Sequence, residues 1–127
     1  MKVNINDVGG LVVKDNETYR LVDNTSLKNL VLSSTELKSH RSTNGHSHPG
    51  QEEVYFFVSG TGTMYLNNVG REVGPGDVVL IEDGIHHRVV NDTLESLYFV
   101  CVFDGKRNHW RTLDWYLKIM SILTSNS

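Results

Sequence analysis

The chain has 127 residues, of which 39% are hydrophobic and 21% are charged, and these values predict a single folded domain, residues 1–127, with one core. A formal net charge of −3 argues against a protein that grips nucleic acid, and the single cysteine, Cys101, excludes an internal disulfide and a multi-thiolate zinc site. No apolar run is long enough to span a membrane, and the N-terminus has no apolar signal-peptide core. We therefore expect a cytoplasmic protein.

The N-terminal part of the chain has the pattern of short strands. Residues 8–22 contain two apolar segments on either side of a turn at residues 14–16, and residues 27–37 form a longer segment rich in Leu and Val. Residues 39–45 are polar and predict a loop.

From Glu53 onward, apolar segments of five to eight residues alternate with turns that contain Gly, Asn or Asp. The segments are rich in Val, Tyr and Phe, which favour strands. None of them has sustained helical spacing. The chain up to residue 105 therefore predicts an all-β sandwich or barrel, with strands at residues 53–59, 61–67, 77–81, 86–90 and 96–103.

The C-terminal part differs, because its apolar residues recur at steps of three and four. This spacing predicts an amphipathic helix at about residues 109–123, which would pack on the sheet or on a second subunit. Its apolar face would carry Trp110, Leu113, Leu117, Met120 and Leu123.

Two histidines with the spacing His-x-His are the first candidate metal ligands. On a strand, the side chains of His46 and His48 would emerge on the same face and could reach one cation. The acidic pair Glu52–Glu53 opens the next strand, and the pair His86–His87 opens a later one. Two or three imidazoles with one carboxylate suit Mn, Fe, Co, Ni or Zn, and suit Mg or Ca poorly.

These residues resemble the two sequence motifs of the cupins. The first cupin motif is Gly, five residues, His-x-His, three or four residues, Glu, six residues, Gly; the second is Gly, five residues, Pro-x-Gly, two residues, His, three residues, Asn. Eight of the ten motif positions match, and the two departures are His40 in place of Gly and Glu82 in place of Pro. The matching residues are His46, His48, Glu53, Gly60, Gly76, Gly84, His87 and Asn91.

The resemblance covers about residues 28–103 and implies a double-stranded β-helix, or jelly-roll, barrel followed by the C-terminal helix. The motif spacing selects Glu53 over Glu52 and His87 over His86. The implied site holds one divalent transition metal, Mn, Fe, Zn, Ni or Co, with the ligands His46, His48, Glu53 and His87. The implied pocket beside it is lined by residues such as Tyr55, Phe57 and Val89.

The segment from His46 to Tyr55 also looks like that of small cupins described as mannose-6-phosphate isomerase-like. This likeness implies an enzyme that isomerises or epimerises a small polar substrate, such as a sugar or sugar phosphate, with the metal as Lewis acid. Two alternatives remain: an Fe(II)-dependent cupin dioxygenase, and a non-enzymatic protein that binds or senses a small ligand. The sequence does not identify a residue as the general base.

The segments 54–58 and 97–103 are apolar on both faces. One face can fill the barrel, whereas the other needs cover. Since related small cupins are typically dimers, we expect a two-fold symmetric homodimer that uses the outer faces of the sheet, the chain before residue 30 and the helix.

Overall fold

The computed structural model describes residues 1–47 and 49–105, so His48 and the predicted helix at residues 109–123 lie outside the described residues. No helix in the described ranges has the length and apolar character that a membrane span needs. The described residues form ten strands: β1 (Leu11–Asp15), β2 (Tyr19–Asn24), β3 (Leu30–Leu37), β4 (Arg41–Ser42), β5 (Glu53–Ser59), β6 (Gly62–Leu66), β7 (Val69–Val73), β8 (Val78–Ile81), β9 (His87–Asn91) and β10 (Leu97–Asp104).

The strands form two antiparallel sheets. One sheet has six strands in the order β1-β2-β3-β10-β5-β8, and the other has four in the order β4-β9-β6-β7. Side chains from both sheets meet in one core, so the predicted all-β jelly-roll barrel is confirmed. The core includes Tyr19, Leu21, Val31, Leu37, Tyr55, Phe57, Met64, Val73, Ile81, Val89, Leu97, Phe99, Cys101 and Phe103.

Alternation along β5 sets which side chains enter the barrel. Glu53, Tyr55 and Phe57 are buried, whereas the side chains between them are only half-buried. Because the side-chain period of a strand is two, the face that carries these aromatic rings also carries the Glu53 carboxylate into the interior.

The N-terminal segment covers part of the outer face of the six-stranded sheet. Val8 is buried there against Val22 and Val100. Two hydrogen bonds hold the segment in place: the Tyr98 hydroxyl donates to the carbonyl of Ile5 at 2.8 Å, and the Asn24 amide donates to the carbonyl of Val8 at 2.7 Å. The chain thus supplies some of the cover that its outer apolar face needs.

Two strands lie where the sequence predicts none. Strand β7 lies outside the strands predicted from the sequence, and its side chains are exposed except for that of Val73, which is buried. It nevertheless pairs along its whole length with β6. The predicted loop at residues 39–45 contains β4, which pairs with β9 through Arg41 and Ser42. The first turn is also displaced, since Lys14 and Asp15 belong to β1.

Candidate metal centre

Main-chain pairing brings the two described histidines of the motifs together. His46 and His87 form an isolated antiparallel bridge, in which each amide donates to the other's carbonyl, at 3.1 and 2.9 Å. Their rings lie with centroids 4.2 Å apart. Glu53, the first residue of β5, reaches them from the opposite sheet. The three side chains therefore come together only when the two sheets pack on each other in this alignment.

The three side chains form a compact buried group. One nitrogen or oxygen of each of His46, Glu53 and His87 lies within 4.8 Å of those of the other two, and each side chain is 5% exposed or less. The carboxylate faces both rings, with Oε1 at 3.6 Å from His46 Nε2 and Oε2 at 3.5 Å from His87 Nε2. This arrangement could hold one cation.

Electrostatics favour, for Glu53 and His46, the protonation states that a metal requires. Burial lowers the pKa of His46 below 6.5, and the nearby Glu53 carboxylate offsets this only in part. Burial alone would raise the pKa of Glu53, but its interactions with His46 and His87 outweigh burial and lower that pKa to about 2. Glu53 is therefore ionised at neutral pH, and His46 favours the neutral form.

The orientation of His87 is set by the main chain. Its Nδ1 lies 3.0 Å from the carbonyl oxygen of Ile85, and because a carbonyl only accepts, Nδ1 must carry the proton. In neutral His87, Nε2 then presents a lone pair to the Glu53 carboxylate, and in the described part of the chain this buried nitrogen has no hydrogen-bond partner. A cation or a proton between this nitrogen and the carboxylate would interact with both groups, so the geometry favours one of them there.

A small cavity of about 20 Å³ adjoins this group. That volume accommodates roughly one water molecule or ion. Its lining surface is mostly apolar and aromatic, although five of the lining residues carry a hydroxyl group: Tyr19, Ser33, Thr35, Thr43 and Tyr55. Tyr55 lines this cavity, whereas Phe57 and Val89 are buried core residues outside its lining.

A row of polar side chains crosses the inner face of the six-stranded sheet. The register pairs Asp23 with Ser33, Ser33 with Cys101, and Cys101 with Tyr55, on four adjacent strands. The Ser33 hydroxyl donates to the Asp23 carboxylate. Burial, with smaller contributions from Glu53 and Asp23, raises the pKa of the Cys101 thiol, and its hydrogen bond with Ser33 offsets this in part. The thiol therefore stays protonated and, with Ser33, lines the cavity.

Sequence reasoning did not identify Ser33, Thr35 or Thr43 as cavity residues. A signal exists for two of them, because alternation between the buried Val31 and Leu37 of β3 places Ser33 and Thr35 on the same inward face. The sequence contains no comparable signal for Thr43, because this residue follows the two-residue strand β4. In the structure its hydroxyl accepts a hydrogen bond from the amide of Val89 at 2.9 Å.

The motif spacing separates the buried residues from their neighbours. Glu53 and His87 are buried, whereas Glu52 and His86 are exposed. Asn91, the last residue of the second motif, is 1% exposed but does not line the cavity. Its amide group contacts the carbonyls of Leu37, Lys38 and Glu95. Asn91 therefore connects the end of β9 with the end of β3 and with the chain just before β10.

Comparison with known proteins agrees with this architecture. One curated relative, a glucose-6-phosphate isomerase of Thermococcus kodakarensis, is 32% identical over 74 residues, which are 53% of this chain and only 39% of that protein. A protein with a double-stranded β-helix domain from Klebsiella pneumoniae superposes with a TM-score of 0.70 at 17% identity, over 81% of this chain and 88% of its own. The polyketide cyclase RemF from Streptomyces resistomycificus superposes with a TM-score of 0.69 at 23% identity, over 85% and 81%.

The family model described as "Cupin domain" matches residues 34–103, which are more than half of the chain. The matched range contains both motifs and every residue of the buried His-Glu-His group. By its sequence, its jelly-roll fold and the position of this group, the chain belongs to the cupin family.

Proposed function

We propose that this protein binds one divalent transition metal at His46, His48, Glu53 and His87 and uses it on a small polar substrate. The observation that carries this proposal is the buried His87 Nε2, which has no hydrogen-bond partner among the described residues and lies 3.5 Å from the Glu53 carboxylate. A cation between them would be bound by both groups and would balance the buried negative charge. The histidine and carboxylate donors suit Mn, Fe, Zn, Ni or Co.

The residues around the ion have separable tasks. The Ile85 carbonyl fixes the tautomer of His87, and Glu53 contributes the negative charge. The Tyr55 ring lies edge-on to His87, with centroids 5.7 Å apart, and stacks on Phe99, so it limits the movement of the imidazole and helps to exclude water. When bound, the metal would supply Lewis-acid polarisation of a carbonyl or vicinal diol.

A sugar or sugar phosphate, in an isomerase- or epimerase-like reaction, is the substrate class that we favour. This preference rests on the curated relative, which is a glucose-6-phosphate isomerase, and on the polarisation of a carbonyl or vicinal diol that a metal at this group would supply. The enclosed space of about 20 Å³ is far below the roughly 300–1,000 Å³ of typical ligand pockets. The ion alone would fill this space, so a sugar would reach the ion only if part of the wall moves.

The metal assignment can be tested with protein that is purified without a histidine tag, stripped by a chelator and reloaded with each metal. The variants His48→Ala, Glu53→Gln and His87→Ala should lose most bound metal by elemental analysis while circular dichroism shows that they stay folded. Glu52→Gln and His86→Gln are matched controls, because these exposed side chains directly precede the proposed ligands. Unchanged metal content in both His48→Ala and His87→Ala would show that the ligand set is wrong.

The reaction class needs a separate experiment with the loaded protein. Sugars, sugar phosphates, thiols and catechols are incubated with it in air and without oxygen. Isomer formation that is independent of oxygen supports the proposal. Oxygen consumption with Fe(II) would instead identify a dioxygenase, and saturable binding without turnover would identify a ligand-binding or sensor protein.

A further inference from the structure

An apolar groove lies at the edge of the six-stranded sheet and shares no lining residue with the cavity beside the candidate metal centre. It has a volume of about 430 Å³ and lies between the edge strand β1 and the chain that enters β3. Four of its apolar residues are between 44% and 78% exposed, which is unusual for side chains that lie next to each other. The apolar lining consists of Leu11, Val12, Val13, Leu27, Leu30 and Val31.

The end of the described chain lies at the rim of this groove. Asp104, the last residue of β10, pairs with Leu30. The next residue, Gly105, donates its amide proton to the carbonyl of Asn29 at 2.7 Å. Asn29 and Leu30 both line the groove, so whatever follows Gly105 starts beside it.

The sequence that follows has the complementary character. Residues 109–123 carry apolar side chains at helical spacing, and a helix of this length is about 22 Å long. The three residues between Gly105 and His109 can extend by at most about 14 Å, which keeps the segment next to the groove. A tether this short gives an effective concentration of roughly millimolar, far above that of a second copy at micromolar concentration.

We propose that residues 109–123 of the same chain pack along this groove and cover it with the face that carries Trp110, Leu113 and Leu117. This packing buries the exposed side chains of Leu11, Leu27 and Leu30 together with the apolar stripe of the segment. Neither surface then has to face water, and the open side of β1 is shielded from pairing with other chains.

Tryptophan fluorescence tests this packing directly, because the chain has two tryptophans and both, Trp110 and Trp115, lie in the segment. In a full-length Trp115→Phe background, emission reports on Trp110 alone. We expect emission at shorter wavelength than that of N-acetyltryptophanamide, unchanged by dilution. The groove variants Leu27→Asp and Leu30→Asp should each shift it to longer wavelength and increase quenching by acrylamide.

The control is Leu94→Asp, which places the same charge on an exposed leucine near the other end of β10. It should leave the emission of Trp110 unchanged, and circular dichroism should show that all variants keep the fold. The proposal would be overturned if neither groove substitution changed the emission of Trp110. It would also be overturned if the emission of the Trp115→Phe protein matched that of N-acetyltryptophanamide. A shift to longer wavelength on dilution, together with a dimeric mass by light scattering, would also overturn it, because the segment would then pack on a second copy.

Discussion

Asn91 is expected to be one of the most sensitive positions for stability, although it lies outside the metal-binding group. Its amide nitrogen contacts the carbonyl oxygens of Leu37, Lys38 and Glu95 at 3.1, 3.2 and 2.7 Å. Its side-chain oxygen accepts from the amide and the hydroxyl of Thr93 at 3.0 and 2.7 Å. Because an amide group has two protons for three carbonyls, these contacts correspond to about four full hydrogen bonds.

The substitution Asn91→Ala removes all of these bonds and leaves buried carbonyl oxygens without a donor. At about 1 kcal/mol of net stability for each bond, we expect the free energy of unfolding to fall by about 3–4 kcal/mol. A loss of this size corresponds to a decrease in Tm of roughly 10–15 °C for a domain of this size. Urea titration monitored by circular dichroism measures the change, and an unchanged m-value confirms that the folded state is comparable.

Two further variants make this test specific. Asn91→Asp keeps the acceptor for Thr93 but turns a carboxylate toward three carbonyls, so it should destabilise the protein at neutral pH at least as much as alanine does. Asn29→Ala changes an exposed asparagine and should alter stability by less than about 0.5 kcal/mol. A loss of less than about 1 kcal/mol for Asn91→Ala would refute the assignment of Asn91 as a structural hub.

Three other predictions concern acid and assembly. Metal affinity should fall as the pH decreases from 8 to 5, because protons compete for the imidazoles, and an affinity that is constant over this range in metal titrations would argue against histidine ligation. In metal-free protein, the pKa of Glu53 is about 2 when folded and 4.5 unperturbed, so its stabilisation is present above pH 4.5 and is lost as the pH falls toward 2. This loss of stability amounts to roughly 3 kcal/mol and should be missing in Glu53→Gln. Urea titrations at several pH values measure it, and equal acid sensitivity of the two proteins would contradict this prediction. Light scattering should give twice the chain mass of 14.3 kDa, because Val78 and Leu80 are exposed on the edge strand β8, and a monomeric mass would contradict the expected homodimer.

The sequence predicts those parts of this fold that depend on local pattern. Apolar segments rich in Val, Tyr and Phe between turns identified β5 and β10, and motif spacing chose Glu53 and His87, both of which are buried. Strand β7 was missed because its stability comes from pairing with β6 and not from burial of its own side chains. A strand with an exposed polar face has no apolar period to detect.

Long-range register accounts for most of the rest. The bridge between His46 and His87 joins residues 41 positions apart, and the polar row from Asp23 to Tyr55 exists only because four strands align. Likewise, the motif asparagine Asn91 matched the family pattern without any indication of its contacts, since its partners lie as far away as Leu37. These contacts depend on which strands pair and in which register, and no single segment of the sequence contains that information.

The placement of the candidate metal ligands on both sheets has a mechanical consequence. Glu53 starts β5 in the six-stranded sheet, whereas His87 starts β9 in the four-stranded sheet. An ion bound by both would act as a clasp across the barrel, and at a free concentration of 100 times its Kd it would add about 2.7 kcal/mol to the free energy of unfolding. Removing the ion would let the two sheets part more often, and amide hydrogen exchange in β5 and β9 would then speed up together. The metal content of a preparation would therefore affect its resistance to proteases.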